Sequence, residues 1–542
     1  MPRTARDSWT AWTAAQIAWL SSIVYALLDL IKELYSFWHP RFMSYIFTPS
    51  ERQQLFAKLK EAKSFDEWNS IALAIDTLDS NDVWRTNSAD ENYDYKLIAS
   101  MLLKIDMIKS DGRYTELADV LHSLLFRNLG SVAAPELFTR AYAGTKLLIE
   151  DYIESVISAL EVLKDCPDID LKSFLRDSRQ SYGRTALVMR GDPLFGMCHL
   201  GVVRSLLTNS LLPTVVAGAA MSSTVAAFVC SMPEDQLVAA IDSIPYEVPK
   251  VGRCDKFDQK DGKNTDEPIG SLTEGAYRSL YTNEALMFYE YVQEKLGDMT
   301  FEESFKVSGR VLNILILPEN AKSGTFFNYL SAPKVLIRSA ILASIGTDVL
   351  PYHHDVDLYI KDYDNVVRKH PDSPCNFFPA NQKSYVPPRE SPYTRLAELF
   401  NVNNYVVSVS RPYFAPLLLS EFKYRGKPRL WQRVLTLLRI SVQYRIAQFA
   451  DLGLVSQQLK SMLVDEIIPC NLQVNIVPEA NSLLRDLLLV FDSTSVTHKL
   501  NHWIQWGERS TWPHMSCIWV RSKLEYVLLD LQKEQEQDQT NS

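Results

Sequence analysis

No two cysteines in this chain stand at C-x-x-C spacing, and the seven present are scattered and odd in number. That pattern gives no disulfide framework and predicts reduced thiols in a cytosolic environment. Basic residues do not dominate either. The 56 Lys and Arg against 65 Asp and Glu leave a net charge of −9 and a pI near 5.6, which argues against nucleic acid as a primary partner. There is no P-loop and no dinucleotide fingerprint, since Gly191 and Gly196 lack the G-x-G start. No repeat of solenoid length occurs. No apolar run reaches the roughly 20 residues of a spanning helix. The longest candidate, Ile17 to Leu28, is cut off by Asp29, Lys32 and Glu33. A secretory signal pattern is absent too, because charge and aromatics follow this stretch and no small-residue cleavage site does.

What is present is a chain of 542 residues, 46% apolar and 22% charged, the composition of a folded protein too long for one ordinary core. Two or three domains are expected. Trp9, Trp12, Trp19, Tyr25, Tyr35, Phe37 and Trp38 surround the first apolar stretch, as interfacial anchors do. It reads as a helix lying in a membrane or lipid-droplet surface. A core helix packed on the next domain and a true span are the alternatives.

From Ser50 to about Leu163 the pattern is helical, with three- and four-residue apolar spacing over Glu51 to Ala62 and Leu97 to Ile108. A long amphipathic helix is predicted to open at Ala143 and end before Asp165. Buried strands are predicted at Thr185–Met189, Leu211–Ala217, Val311–Ile316 and Tyr405–Val409. Val248 to Leu272 and Lys361 to Pro392 read as inserted loops. After Pro412 the chain reads as helical, closing at about Gln532 to Asp538 in a frayed polar tail.

The most informative stretch is Gly218-Ala219-Ala220-Met221-Ser222. A buried strand precedes it, and the helix-forming run Ser222 to Cys230 follows. Strand, tight small-residue turn and helix is the setting in which G-x-S-x-G enzymes present a nucleophilic serine. Here the central position is Ala220, whose methyl group cannot attack an ester, and Ser222 stands where the motif closes on glycine. Ser222 and Ser223 fall in the first helical turn, where capping is their ordinary role.

Several ordered blocks resemble the fungal patatin-like triacylglycerol lipases. They are Glu91–Ile98, Arg127–Gly130, Tyr142–Lys146, Gly183–Leu187, Phe195–Val202, Asn328–Pro333, Arg338–Ser344, Pro392–Val402, Arg439–Leu454 and Gly507–Pro513. The resemblance covers most of the chain. It implies a three-layer α/β patatin-like domain with helices on both sheet faces, flanked by helical N- and C-terminal segments. The expected division is 1–45 membrane-associating helix, 46–180 helical N-terminal domain, 181–412 patatin-like α/β domain and 413–542 helical C-terminal extension.

The resemblance also implies a Ser–Asp dyad and a glycine-rich loop whose backbone N–H groups stabilise a developing oxyanion. Each part can be located here. The nucleophile position is Ala220. The family's loop reads close to Gly-Gly-x-x-Phe-Gly, where this chain has Gly191, Asp192, Pro193, Leu194, Phe195 and Gly196. Pro193 has no N–H to donate, and the Asp192 carboxylate repels negative charge. Counting back without gaps from Pro392 places the aspartate position at Ser384 and its glycine at Tyr385. Asp348, Asp355, Asp357, Asp362, Asp364 and Asp372 lie nearby, and none precedes a glycine.

No histidine has an aspartate five positions on, the acyltransferase pattern of some relatives. His353, His354, Asp355 and Asp357 read as a polar loop rather than a metal site, and His199 as a satisfied core histidine. No metal or other cofactor is expected. The expectation is a lipase homologue of acylglycerol or phospholipid metabolism, without hydrolase activity, at lipid-droplet or cytosolic ER surfaces. Its partners would be an acyl lipid or lipid surface, and a lipase. An active acyl hydrolase with a non-standard site is the alternative, as is an accessory protein of a specialised biosynthetic pathway.

Overall fold

The computed structural model describes residues 51–541 except 167–168, 192, 252–280, 320–323, 348, 351–355, 363, 372–375, 378, 381–390, 412–436, 438–440, 442–443, 446–447, 450–471 and 479–494. The predicted first helix, the histidine pair and Ser384 therefore lie outside the described residues.

The helical first part comprises α1 (Glu51–Glu61), α2 (Phe65–Leu78), α3 (Asn81–Thr86), α4 (Tyr95–Ser110), α5 (Tyr114–Leu124), α6 (Leu147–Lys164) and α7 (Leu171–Tyr182). Side chains of Ser64, Asp94 and Asp170 accept a first-turn amide at the starts of α2, α4 and α7, the capping that fixes where a helix begins. The α/β part then runs β1 (Arg184–Gly191), α8 (Cys198–Thr208), β2 (Val215–Ala219), α9 (Met221–Val229), α10 (Glu234–Glu247), α11 (Asn283–Leu296), α12 (Phe301–Ser308), β3 (Val311–Ile316) and β4 (Thr325–Phe327). It continues with α13 (Ile337–Ile345), β5 (Tyr359–Lys361), β6 (Val367–Lys369), α14 (Pro392–Phe400), β7 (Val402–Ser410) and β8 (Leu472–Ile476). Two further helices, α15 (Val496–Thr511) and α16 (Met515–Asn541), close the chain.

The main sheet has the order β4-β3-β2-β1-β7-β8. All neighbours are parallel except the edge pair β3–β4. Successive β1 side chains enter different cores. Leu187 and Met189 join the large cluster with α8 and α9, whereas Ala186 and Val188 join a smaller one with Tyr393, Leu396 and Phe400 of α14. Alternation along a strand sends neighbours to opposite faces, so both faces are covered, as parallel sheets require. The expected α/β architecture, with helices around a mostly parallel sheet, is what the structure has.

Three sequence readings need correction. The run Leu211–Ala217 enters the sheet only at Val215. Pro213 has no N–H for a ladder, and Thr214 instead accepts from the Val311 amide at 2.8 Å. The insert from Lys361 to Pro392 contains half of a small hairpin, β5–β6. The polar C-terminus is not frayed at Gln532. Helix α16 runs to Asn541, held by the Lys164–Glu534 ion pair at 2.7 Å and by Arg179 donating to Gln532. Strand β8, inside the region read as helical, is a fourth departure.

The terminal helices are structural parts of the α/β unit. Helices α8 and α15 cross at facing glycines: a Cβ on Gly201 would stand 1.9 Å from the Ile504 carbonyl, and one on Gly507 would stand 2.0 Å from that of Cys198. A buried cluster around Arg127 ties all three parts together. Its guanidinium donates to the Gly183 carbonyl and Glu525 at 3.0 Å each, to Thr185 Oγ1 at 3.0 Å and to the Arg521 carbonyl at 2.5 Å. It also lies over the Tyr182 ring at 4.6 Å. Glu525 accepts in turn from the Thr185 amide at 2.9 Å and its hydroxyl at 2.5 Å. Removing one partner of such a pair strands the other charge in the core. Glu525→Ala should therefore cost about 3–5 kcal/mol, measured as a fall in the urea midpoint at unchanged slope. A loss below about 1 kcal/mol, the scale of a surface pair, would show that the cluster does not hold the parts together.

Candidate functional site

The site is built on the β2–α9 turn. Ala220 has φ 51 and ψ −127, a conformation that L-residues seldom adopt and that costs of order 1–3 kcal/mol. Three contacts impose it. The Ala220 amide donates to Ser344 Oγ of α13 at 2.8 Å. Ser223 Oγ donates back to the Ala220 carbonyl at 2.5 Å. The strand meets the helix so closely that a Cβ on Gly218 would lie 2.7 Å from Ser223 Cα. Ala220 is buried, with 1% of its surface exposed.

The β1–α8 loop stands beside the turn, because β1 and β2 are neighbours, with Met189 paired to Gly218. It starts at Gly191, φ 135, where a Cβ would lie 2.1 Å from Ser410 Oγ and 2.7 Å from the Ser410 amide. Only a residue without a side chain fits against β7 there. Pro193–Phe195 then form one 3-10 turn, and Gly196 accepts from the His199 amide at 3.2 Å. Asp192 lies outside the described residues. The structure thus brings Ala220, Gly191, Pro193 and Gly196 to one end of the parallel strands, the usual ligand position in such sheets.

His199 sits below this turn, fully buried. One ring nitrogen is 3.1 Å from Ser222 Oγ and the other 2.7 Å from Ser408 Oγ, so the ring bridges α8, α9 and β7. Ser222, read as a cap, thus makes a tertiary contact instead. Ser344, Ser408 and Ser410 escaped the sequence reading. Ser344 closes one of the resembling blocks, yet a serine's role there depends on long-range contact and has no local signature. Near the aspartate position, Asp357 pairs with Lys369 at 2.6 Å, and Asp362 lies 3.7 Å from Arg368 and 3.9 Å from Lys334. No group of three or more His, Cys, Asp or Glu able to hold a metal occurs among the described residues.

A mostly parallel sheet with helices on both faces thus carries a positive-φ turn between a strand and a helix of small residues. The chain's homologues are named triacylglycerol lipases and patatin-like phospholipase domain proteins. It is 25% identical to triacylglycerol lipase 3 of Saccharomyces cerevisiae, over 95% of this chain and 96% of that protein. It is 29% identical to triacylglycerol lipase ptl1 of Schizosaccharomyces pombe, over 88% of this chain and 84% of that protein. A patatin-like phospholipase domain-containing protein of Debaryomyces hansenii is 30% identical over 54% of this chain and 36% of its own length. Residues 45–180 match a domain family described as a domain of unknown function, DUF3336.

Burial lowers the His199 pKa from 6.5 to about 3, with the Arg190 backbone opposing the shift. Between those values the unfolded chain binds a proton that the folded chain refuses. Stability from this group is therefore fully present above pH 6.5 and is lost as pH falls toward about 3. Its slope approaches about 1.4 kcal/mol per pH unit. His199→Gln should flatten the acid limb of a urea-stability profile between pH 7 and 4 relative to the parent. Parallel profiles would mean that the histidine is solvated and can titrate.

Proposed function

We propose that this protein is a lipase homologue of acylglycerol or phospholipid metabolism that binds acyl lipid, or a lipase partner, without hydrolysing lipid. The names of its relatives support lipid as the chemical class. The observation that carries the loss of activity is Ala220, a methyl side chain at the strained central position of the turn. Ser384 at the aspartate position would supply no base, and Asp192-Pro193 would spoil the oxyanion loop. In an enzyme of this type, removing one oxyanion donor costs about 2.7–4 kcal/mol of barrier, and removing the nucleophile leaves only the residual catalysis that an intact oxyanion hole and binding supply. We assign 1–45 to surface attachment, 46–180 and 413–542 to helical flanks and 181–412 to the patatin-like unit.

The competing reading, an active acyl hydrolase with a non-standard site, has one observation in its favour, the 3.1 Å approach of Ser222 Oγ to His199. Burial counts against it. Ser222 is 2% exposed, and an ester must reach the hydroxyl to be attacked. Purified protein should turn over neither triacylglycerol nor lysophospholipid above background. Hydrolysis that vanished in a Ser222→Ala variant would establish the competing reading. Ala220→Ser alone should also remain inactive, since base and loop are still missing. Activity in that variant would show that an aspartate elsewhere serves as base.

The location we infer is a lipid droplet or the cytosolic ER face. Among the described residues no helix is long and apolar enough to cross a membrane, and the aromatic-rich stretch Trp12 to Trp38 has the composition of an interfacial anchor. Burying several large side chains at about 1.5–3 kcal/mol each suffices for reversible attachment. Deleting residues 1–45 should move the protein from the membrane fraction to the soluble one while it stays folded. Retention on the membrane would place the anchor elsewhere, and aggregation would mark the stretch as core.

A further inference from the structure

A cavity that shares no residue with the Ala220 turn or the Gly191 loop lies where the helical first part meets the C-terminal helix. Its volume is about 420 Å³, within the range of small-ligand sites. Phe65, Leu211, Met515 and Trp519 supply apolar wall, and Glu150 and Glu154 supply carboxylates. No Lys, Arg or His lines it. Glu150 already carries a cation, bound by the Arg85 guanidinium at 3.1 and 3.2 Å, and accepts from the Thr145 amide at 2.8 Å. Glu154 is solvent-facing and has no ion-pair partner among the described residues. The cavity therefore carries one uncompensated negative charge beside an indole and a phenyl ring.

That lining selects among ligand classes. An anion meets a carboxylate and no donor cation. A plain acyl chain leaves Glu154 unused. A hard metal ion needs several oxygen ligands, whereas half of this wall is hydrocarbon and sulfur. A soft cation clothed in methyl or methylene groups satisfies both halves. Its charge would lie beside Glu154 and the Trp519 indole, a ring type that attracts cations, while its carbons contact Leu211 and Met515. We propose that this cavity binds an alkylammonium group of the choline type, as free solute or as a phospholipid headgroup.

Calorimetric titration of the full-length chain tests this, with tetramethylammonium and choline as probes and sodium at equal ionic strength as control. The expected result is saturable binding of both ammonium ions and none of sodium. Glu154→Gln should weaken that binding at least tenfold with thermal melting unchanged, and Trp519→Leu, which also thins the core packing, should weaken it at least tenfold in a chain that stays folded. Vesicle flotation separates the sources. If the ligand is a headgroup, the parent should prefer phosphatidylcholine over phosphatidylglycerol vesicles and Glu154→Gln should lose that preference. If it is a solute, free choline binds and the two vesicles behave alike in parent and variant. Absence of saturable binding, or equal binding by both folded variants, overturns the proposal. Neither outcome depends on whether the protein hydrolyses esters.

Discussion

The backbone at Ala220 is held at φ 51 by its surroundings rather than by its own preference. Alanine gains nothing from that conformation, so the strain must be offset elsewhere. The Ser344 hydroxyl takes its amide, the Ser223 hydroxyl bonds its carbonyl, and Gly218 lets strand and helix approach within contact. Those three contacts place α9 and α13 relative to β2, and with them the end of the sheet where a ligand would enter. In a working enzyme this strain has a purpose, since it lifts a serine oxygen out of the turn. Here the geometry remains with a methyl group on it.

The same economy runs through the rest of the fold. The blocks that resemble the lipase family are largely joints between segments. Arg127 anchors the cluster with Glu525. Lys146, buried, donates to the Trp84 and Asn87 carbonyls at 3.0 and 2.7 Å. Asn328 accepts from the Leu330 and Ser331 amides and donates to Asn313 on β3. Gly507, Glu508 and Arg509 touch Cys198, Arg204 and the Ala62 carbonyl in turn. Removing one partner from buried polar groups of this sort strands the other, which makes such residues difficult to change singly. The Ala220 methyl takes part in no such network, since the bonds at this residue run through its backbone amide and carbonyl.

Much of this was legible in the sequence, for identifiable reasons. Strand β3, Val311–Ile316, is apolar at every position but Asn313, and its bounds agree with expectation. Helices α4 and α6 carry amphipathic periods, and the turn at Ala220 follows from small residues between strand and helix. Strand β8 was not legible. Leu472–Ile476 alternates with Gln473 and Asn475, and its pairing with β7 joins residues some seventy positions apart. The polar end of α16 looked like a tail because its partners, Lys164 and Arg179, lie far back in the chain. The Ser222–His199–Ser408 bridge was invisible for the same reason, since its three residues lie in separate segments and nothing local announces their contact.

The central claim, that the turn survives without a nucleophile, is tested most directly by labelling the folded protein with a fluorophosphonate that reacts only with activated serines. Intact-mass analysis then counts the adducts. The expected result is an unmodified chain, because Ala220 offers no oxygen and Ser222 is sealed against His199 in the core. Stoichiometric addition of one phosphonyl group, mapped to a serine and abolished by changing it to alanine, would contradict the account.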